Sequence, residues 1–390
     1  MTYKQSILKR HIEFLLIWPI VFIGKIYGKL KKPNKQYSHF LFFPAADIGG
    51  SIKVNAEITE CIKDKHPLII FSKKPKNNKF LPLFNIEGVD ILDLHNKIDN
   101  KAYHFVNIFY RGVLASWINS SPDAVIFGGE SLYFYKIVPH VKNTVKKVEL
   151  CHLNTWFNYS QAFIKDITIR IFSTPKIKRD AEQLYRQNNL PKEYFDRLFF
   201  VDNKVEIPVY KRVENNILQI LFVGRNAPQK RIYLLAKIAD TAYSKKLPVH
   251  FTLVGDVASF FVSTNPAIYT ILGEVGDRKE LENIYERSDM LILTSAYEGL
   301  PLVVMDMMAR GKIILSTDVD GIPDYITHKE TGMLITEKED DKIVAQAIEL
   351  IELLLNDPEL RKAIELRTYR FAVEHFGESN FNNFYRRVLS

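Results

Sequence analysis

The stretch "DMLILTSAYEGLPLVVMDMMARGKIILSTD" (residues 289–318) holds two short apolar runs on either side of a loop and a Met-rich segment. The runs "DMLILTS" and "KIILSTD" are typical of buried strands. The segment between them predicts a helix with Pro301 at its first position and Gly311 as its cap. Strand, helix and strand in this order indicate a parallel sheet. Two acids, Glu298 and Asp306, lie within this apolar stretch and indicate a site.

The same alternation runs through the chain from residue 37 onward and restarts at "ILQILFVG" after a polar, proline-bearing stretch at 203–216. It predicts the α/β class, with two doubly wound Rossmann-like domains. Ligands of such folds bind beyond the carboxyl ends of the strands, which here means a cleft that the two domains face. The predicted divisions are an N-terminal segment at 1–36, a first domain at 37–208, a second domain at 209–375 and a final helix at 376–390.

Composition excludes several classes of protein. The chain of 390 residues is 47% hydrophobic and 25% charged, as expected for a globular protein of two domains. Its two cysteines, Cys61 and Cys151, are too few for a disulfide framework and form no C-x-x-C pair. They favour a reducing, cytoplasmic compartment and give no indication of a zinc site.

Charge is unevenly distributed between the two halves. Residues 1–200 carry 30 Lys and Arg against 17 Asp and Glu, whereas residues 201–390 carry 23 against 28. A basic half indicates contact with an anionic membrane surface, a phosphorylated acceptor or a nucleic acid, although a solvated basic surface explains it equally well. No basic–aromatic binding motif accompanies the charge, so we expect no nucleic acid partner.

The N-terminal segment has an apolar run from Phe14 to Gly24. Eleven residues are too few to span a bilayer, and we expect Pro19 to interrupt the run. No small-residue cleavage site follows, so a signal peptide is not favoured. Two interpretations remain: a membrane-surface helix within residues 12–32 with snorkelling lysines, or a helix packed on the core of the protein.

Four loops that follow strands attract attention. Gly49 and Gly50 would let a ligand approach the backbone, but two glycines also make an ordinary turn. Arg225 and Lys230, in "VGRNAPQK", suit a diphosphate, but most such cations are only solvated. The turn "GEVGD" contains Val275 and is by itself no more than a turn.

The fourth loop, "AYEG", precedes the Met-rich helix. The amides of Gly299 and Leu300 would be free to bind a phosphate, and Glu298 would reach sugar hydroxyls. Asp306 follows one to two turns into the helix, where a buried carboxylate needs partners such as ribose hydroxyls. Alternatively, Asp306 faces solvent. The "DVD" sequence at 318–320 is interpreted as loop polarity rather than as a metal-binding motif.

The second half resembles the retaining, nucleotide-sugar-dependent glycosyltransferases of family 4, which have the GT-B fold. The resemblance rests on "LFVGRNAPQK", "FTLVGD", "LGEVGDRKELENIYERSDMLILTSAYEGLPLVVMDMMARGK", "STDVDGIPDYI" and "TGMLI", in family order over roughly 217–335. The first half is similar more loosely, through its "GG" loop, "CH" at 151–152 and "FFVDNKVEI". In such enzymes the final helix usually crosses back to the first domain.

The resemblance implies roles for particular residues. Glu298 and His152 would act on the donor sugar as the catalytic pair, although His152 could also be a satisfied strand-end histidine. The ribose would be held by Asp306 and the base by the backbone of Val275. The diphosphate would be held by cations and backbone amides, namely Arg225, Lys230, Gly299, Leu300, Gly49 and Gly50. The chain departs from the family pattern at Asp306, where the usual residue is Glu, so the ribose contact would be weaker or water-mediated.

The expected reaction needs no metal and no cofactor, because cations and amides stabilise the leaving nucleoside diphosphate. The expected donor is a UDP- or GDP-sugar, and the acceptor is a lipid-linked glycan or polysaccharide at the cytoplasmic face of an anionic membrane. Two alternatives stay open: a soluble GT-B enzyme that acts on a free sugar nucleotide or small acceptor, and a non-catalytic sugar-nucleotide-binding protein.

Overall fold

The computed structural model describes residues 2–100, 103–152 and 159–390. It divides into two compact units, the first formed by 1–201 with 381–390 and the second by 202–380. The sequence placed this boundary at residue 208, but the chain enters the second unit at residue 202. The reason is local, because the hydroxyl of Tyr325 donates to the carboxylate of Asp202 at 2.5 Å within the second unit.

The first unit contains a parallel sheet in the order β3-β2-β1-β4-β5-β6-β7. Its strands are β1 His39–Phe43, β2 Leu68–Phe71, β3 Asp90–Asp93, β4 Val125–Gly129, β5 Lys146–Cys151, β6 Ile169–Phe172 and β7 Leu198–Phe200. The central strands are buried along their whole length, because helices cover both faces of a parallel sheet. Strand β3 alternates between half-buried and exposed residues, as an edge strand does.

The helices of the first unit are α1 Tyr3–Leu30, α2 Gly50–Cys61, α3 His95–Ile98, α4 His104–Ser120, α5 Leu132–Ile137, α6 Pro175–Gln187 and α7 Lys192–Phe195. The sequence did not predict β7 or α5, because three and six residues are too few to show a period.

Helix α1 is continuous, so the prediction that Pro19 interrupts it is wrong. Pro19 is exposed, and α1 continues on both sides of it from Tyr3 to Leu30. One side of α1 packs closely on α4 through glycines. A Cβ atom added to Gly24 would lie only 2.1 Å from the carbonyl oxygen of Phe109, and a Cβ atom added to Gly112 would lie 2.1 Å from the carbonyl oxygen of Val21. Across the described residues, no helix is long and apolar enough to cross a membrane.

The second unit contains a parallel sheet in the order β10-β9-β8-β11-β12-β13. Its strands are β8 Leu218–Val223, β9 Val249–Val254, β10 Tyr269–Gly273, β11 Met290–Leu293, β12 Ile313–Thr317 and β13 Met333–Ile335. The helices that follow are α8 Ile232–Ser244, α9 Arg278–Arg287, α10 Leu302–Met308, α11 Asp340–Asn356, α12 Pro358–His375 and α13 Glu378–Leu389. The two parallel sheets with their helices confirm the predicted fold class.

The end of the chain belongs to the first unit. From residue 381 onward α13 packs there, with the ring of Tyr385 against Phe127. The main-chain carbonyl of Leu389 contacts a ring nitrogen of His39 at 2.5 Å, and the ammonium of Lys146 donates to the carbonyl of Ser390 at 2.9 Å.

We expect Gly24→Ala to lower the free energy of unfolding by about 1–3 kcal/mol, because the new methyl group would collide with main-chain atoms of α4 that cannot rotate away. The measurement is the urea midpoint of each variant. Gly377→Ala is the matched control, since a Cβ there would meet its nearest atom at an ordinary 3.9 Å. Equal midpoints for both variants would show that the helices separate without cost.

Buried His140 predicts acid sensitivity. Burial, with the charges of Lys25, Arg111 and Arg10, lowers the pKa of its imidazole from 6.5 to about 3. Between these values the unfolded chain binds a proton that the folded chain does not, so stability is lost as the pH falls from about 6.5 toward 3, with a slope of up to about 1.4 kcal/mol per pH unit. His140→Phe keeps the ring that stacks on Phe14 and removes this proton.

The measurement is the urea midpoint from pH 7 to pH 4. We expect a flatter acid limb in His140→Phe than in the natural chain, while His11→Gln, which removes an exposed imidazole, keeps the natural slope. Parallel acid limbs for all three proteins would contradict the assignment.

Candidate functional site

Two loops of the second unit meet because their strands are neighbours. Strands β8 and β11 pair in parallel, so the loops at their carboxyl ends lie at the same edge of the sheet. There the ammonium of Lys230 donates to the carboxylate of Glu298 at 2.6 Å. Both side chains are largely removed from water, with 12% and 7% of their surfaces exposed. The structure therefore brings together the cation and the acid that the sequence predicted for the site.

Arg231, which the sequence analysis missed, joins these loops. Its guanidinium donates to the carbonyl of Thr294 at 2.7 Å and to that of Ser295 at 2.9 Å. The hydroxyl of Thr294 in turn donates to the carbonyl of Lys230 at 2.9 Å. Arg231 has a positive φ of 45°, a conformation that is strained for a side chain of this size. In the sequence, only its position beside Lys230 distinguished it from a surface arginine.

A second set of bonds reinforces this junction. The amide of Gln229 donates to the carbonyl of Tyr297 at 2.7 Å, and the main-chain NH of Ala296 donates to the carbonyl of Gln229 at 2.8 Å. Main-chain groups at the ends of buried strands need such partners, because an unpaired group costs free energy. The loop that carries Glu298 is thus held in place from the loop that carries Lys230.

Asp320 contacts the backbone of Glu298 directly. The main-chain NH of Glu298 donates to the carboxylate of Asp320 at 3.2 Å, and the NH of Gly321 donates to the carbonyl of Glu298 at the same distance. Asp320 has a positive φ of 42°. The interpretation of "DVD" as loop polarity is therefore wrong for Asp320, whose carboxylate supports the backbone of the candidate sugar-binding acid.

The residues after Glu298 present main-chain donors. Within the part of the chain that the structure describes, the NH groups of Gly299 and Leu300 have no hydrogen-bond partner. The prediction that Pro301 is the first helical residue is wrong. Pro301 is the extended residue before α10, which begins at Leu302. The helix is short and ends at Met308 rather than at Gly311, whose positive φ of 69° lies in the turn that follows.

Asp306 is mostly removed from solvent, with 15% of its side chain exposed. Its carboxylate lies 3.8 Å from the guanidinium of Arg310, which also donates to the main-chain carbonyl of Asp306 at 2.9 Å. Burial, together with the charge of Asp306, raises the pKa of Tyr285 on α9. Asp306 therefore has a partner in its own segment, and the simple solvent-facing alternative is wrong.

Arg225 and Val275 lie in the same unit, after β8 and β10 respectively. Arg225 is exposed and makes no ion pair with any other described residue, so its guanidinium is available to a ligand. Val275 is half-buried in the loop before α9.

In the first unit, Gly49 stands before α2 and Gly50 is its first residue. A Cβ on Gly49 would meet no atom within 4 Å, so its backbone borders open space.

A pocket of about 450 Å³ lies at the carboxyl ends of β1, β2 and β3 and is lined in part by Ala46, Lys73 and Asp93.

His152 follows β5, next to residues that lie outside the described part of the chain. Its Nε2 is buried and has no hydrogen-bond partner among the described residues, which does not favour a satisfied strand-end histidine. Burial lowers the pKa of His152, and the carboxylate of Glu130 acts against that shift. Glu130 follows the neighbouring strand β4 and has a positive φ of 57°.

Across residues 2–100, 103–152 and 159–390, no group of three or more His, Cys, Asp or Glu side chains is placed to hold a metal ion. The arrangement in the second unit instead offers a cation, a carboxylate and main-chain NH groups. Together these could bind an anion next to a group of hydroxyls.

Comparison with known proteins gives a family match for part of the chain. Residues 218–353 match the family described as "Glycosyl transferases group 1". An uncharacterized glycosyltransferase of Methanocaldococcus jannaschii is 26% identical over 284 residues, which cover 65% of this chain and 78% of the relative. Residues 218–353, which lie in the second unit, are therefore similar to the group 1 glycosyltransferases. An N,N'-diacetylbacillosaminyl-diphospho-undecaprenol alpha-1,3-N-acetylgalactosaminyltransferase of Campylobacter jejuni is 24% identical over 207 residues, or 46% of this chain and 53% of that enzyme.

Other relatives match over shorter stretches, so that the chain spans about half or less of their length. The crystal structure of HepE from Anabaena in complex with UDP and glucose has a TM-score of 0.71 at 15% identity, covering 90% of this chain and 99% of that one. This similarity shows that the chain has the GT-B fold.

Lys230→Met should lower the free energy of unfolding of the chain by about 3 kcal/mol, because it leaves the carboxylate of Glu298 buried without its cation. The double variant Lys230→Met/Glu298→Leu should recover most of that loss, since two apolar side chains replace the pair. Urea midpoints of the two single variants and the double variant form the test. A double variant that is no more stable than Lys230→Met would show that the two groups do not depend on each other.

Proposed function

We propose that this glycosyltransferase is a retaining, metal-independent enzyme of family 4. It would transfer a hexosyl group from a nucleotide-diphosphate donor to a lipid-linked glycan or polysaccharide acceptor at the cytoplasmic face of the membrane. The observation that carries the proposal is the Lys230–Glu298 pair, next to the unpartnered NH groups of Gly299 and Leu300. A nucleotide sugar has the complementary groups, namely anionic phosphates and sugar hydroxyls.

In the proposed complex, the diphosphate lies against Lys230, the exposed Arg225 and the two NH groups. Lys230 and the two NH groups are held in place before the ligand arrives, because Arg231 joins their loops and Glu298 pairs with Lys230. Fixed donors stabilise charge in the transition state more than mobile ones do. The carboxylate of Glu298 accepts hydrogen bonds from hydroxyls of the donor sugar.

The nucleoside would lie on the side of Asp306 and Val275. Asp306 accepts from the ribose hydroxyls, and the backbone beside Val275 contacts the base. Support for a uridine donor comes from HepE, whose structure contains UDP and glucose. A GDP-sugar is the other donor that we propose to test.

In the proposed reaction, the bond between the anomeric carbon and the leaving phosphate oxygen breaks as the acceptor oxygen attacks from the same face. The leaving phosphate takes the proton of the acceptor hydroxyl, so charge and atoms balance without a further reactant. Lys230, Arg225 and the NH groups stabilise the negative charge that develops on the phosphate. His152, Gly49 and Gly50 are the proposed contributions of the first unit to the donor sugar and phosphates.

The proposed acceptor is supported by the name of the Campylobacter jejuni relative, which specifies an undecaprenol-linked substrate. Residues 1–200 carry 30 cationic and 17 anionic side chains, and this net positive charge favours binding close to anionic lipids.

The test is donor-dependent release of nucleoside diphosphate, with UDP-glucose, UDP-N-acetylglucosamine and GDP-mannose as the donors. We expect Glu298→Gln to lower turnover about 100-fold or more, the size of effect typical when one transition-state contact is lost. Glu337→Gln is the matched control, because it neutralises an exposed acid in the same unit. Unchanged release in Glu298→Gln would contradict the assigned site.

Nucleotide binding is measured in addition to turnover. UDP or GDP should raise the melting temperature of the natural chain, since a ligand of the folded state stabilises it. A melting temperature that responds to neither nucleotide would overturn the proposed donor class.

A further inference from the structure

Helix α1 exposes an apolar face along nearly its whole length. The side chains on this face are separated by three, four or seven residues, so they point away from α4; they are Leu8, Ile12, Leu16, Ile23, Ile26 and Leu30. Leu16 is 75% exposed and Leu30 is 78% exposed. The line from Leu8 to Leu30 is about 33 Å long at 1.5 Å per residue. Surface patches of this size on soluble proteins indicate an interaction site.

Aromatic side chains border this face. Trp18 and Phe22 stack on each other with ring centroids 5.2 Å apart, and about half of each side chain is exposed. Tyr103 and Phe105, at the start of the helix on which α1 packs, are also more than half exposed. Trp and Tyr are enriched where a protein meets the boundary between lipid and water.

Charge around the face has one sign. Helix α1 and the four residues after it carry basic side chains at seven positions, namely Lys4, Lys9, Arg10, Lys25, Lys29, Lys31 and Lys32. Its single acid, Glu13, forms an ion pair with the guanidinium of Arg111 at 3.1 Å. The surface therefore combines an apolar face with cations that no nearby acid of the same helix neutralises.

The opposite side of α1 is already used, so the helix cannot turn its apolar face inward. The indole NH of Trp117 donates to the carbonyls of Gly28 and Lys31, at 3.2 and 2.9 Å. At the other end of the helix, Arg10 forms an ion pair with Asp166 at 2.5 Å. The close contact at Gly24 fixes the middle of the helix. The apolar face is consequently a permanent surface of the first unit.

We infer that this face, defined by Leu8, Ile12, Leu16, Ile23, Ile26 and Leu30, docks on an anionic lipid bilayer. The helix lies parallel to the surface, with the apolar face among the upper acyl chains and the lysines among the headgroups. A second copy of this chain is a poorer occupant, because two such faces would bring like charges together. The inference deepens the proposed function by naming its membrane surface, and it is measurable without any substrate.

The experiment is flotation of the full chain with vesicles of phosphatidylglycerol and phosphatidylcholine in equal amounts, and with vesicles of phosphatidylcholine alone. We expect the natural chain to float with the anionic vesicles. Leu16→Glu/Ile23→Glu should lower the floating fraction at least tenfold, because two carboxylates then face the acyl chains. Val209→Glu/Val262→Glu is the matched control, since these valines are 91% and 83% exposed on the second unit.

A charge variant separates the contribution of the lysines from that of the apolar face. Lys9→Gln/Lys29→Gln neutralises two exposed lysines and should weaken binding to anionic vesicles several-fold while leaving the melting temperature unchanged. Equal flotation of Leu16→Glu/Ile23→Glu and its valine control would overturn the inference. So would a natural chain that sediments as a dimer, stays unbound to vesicles and becomes a monomer in Leu16→Glu/Ile23→Glu.

The outcome is separable from that of the proposed reaction. A chain that releases UDP from a donor but does not float contradicts docking alone. A chain that floats but releases no nucleotide from any donor contradicts the proposed function alone.

Discussion

The second unit depends on one side chain, because Arg231 donates to two main-chain carbonyls at the end of β11. Those carbonyls follow a buried strand and need hydrogen-bond partners, and that of Ser295 also accepts from the hydroxyl of Thr317 at 2.7 Å. By satisfying them, Arg231 makes two loops more than 60 residues apart into one structure. The distance of 2.6 Å between Lys230 and Glu298 follows from this junction. Two opposite charges with little access to water are stable only as a pair, so the same constraint that builds the site also keeps it intact.

The first unit is organised by a different constraint, the close approach of α1 and α4. Main-chain atoms meet where both helices have glycine, and only hydrogen fits between them. This contact uses one side of α1, and the apolar side chains on its other side, from Leu8 to Leu30, have no covering element among the described residues of that unit. An apolar face of a helix is normally buried. Its outer face thus connects the packing of the fold to the membrane contact that we infer.

The fold was largely predictable from the sequence. Parallel strands that are buried on both faces appear as continuous apolar runs, and "DMLILTS" and "KIILSTD" indeed form β11 and β12. The short elements α5 and β7 were missed because a few residues show no period. Pro19 was misjudged for another reason: a proline inside a helix loses one hydrogen bond and crowds the carbonyl four residues earlier, but tertiary contacts on both sides of Pro19, at Arg10 and at Gly24, hold α1 in place, and the sequence does not show them.

Sequence alone determined which chemical groups stand at the ends of the strands, because an apolar run followed by a cation or an acid is visible in one dimension. Lys230, Glu298 and the glycine after it were proposed as site residues in this way. Tertiary structure decided which groups meet. The support from Arg231 and Asp320, the partner of Asp306 and the outward face of α1 all depend on strand register and helix packing. Those relations join residues far apart in the chain, and hydrogen bonds and steric contacts act over only a few ångströms.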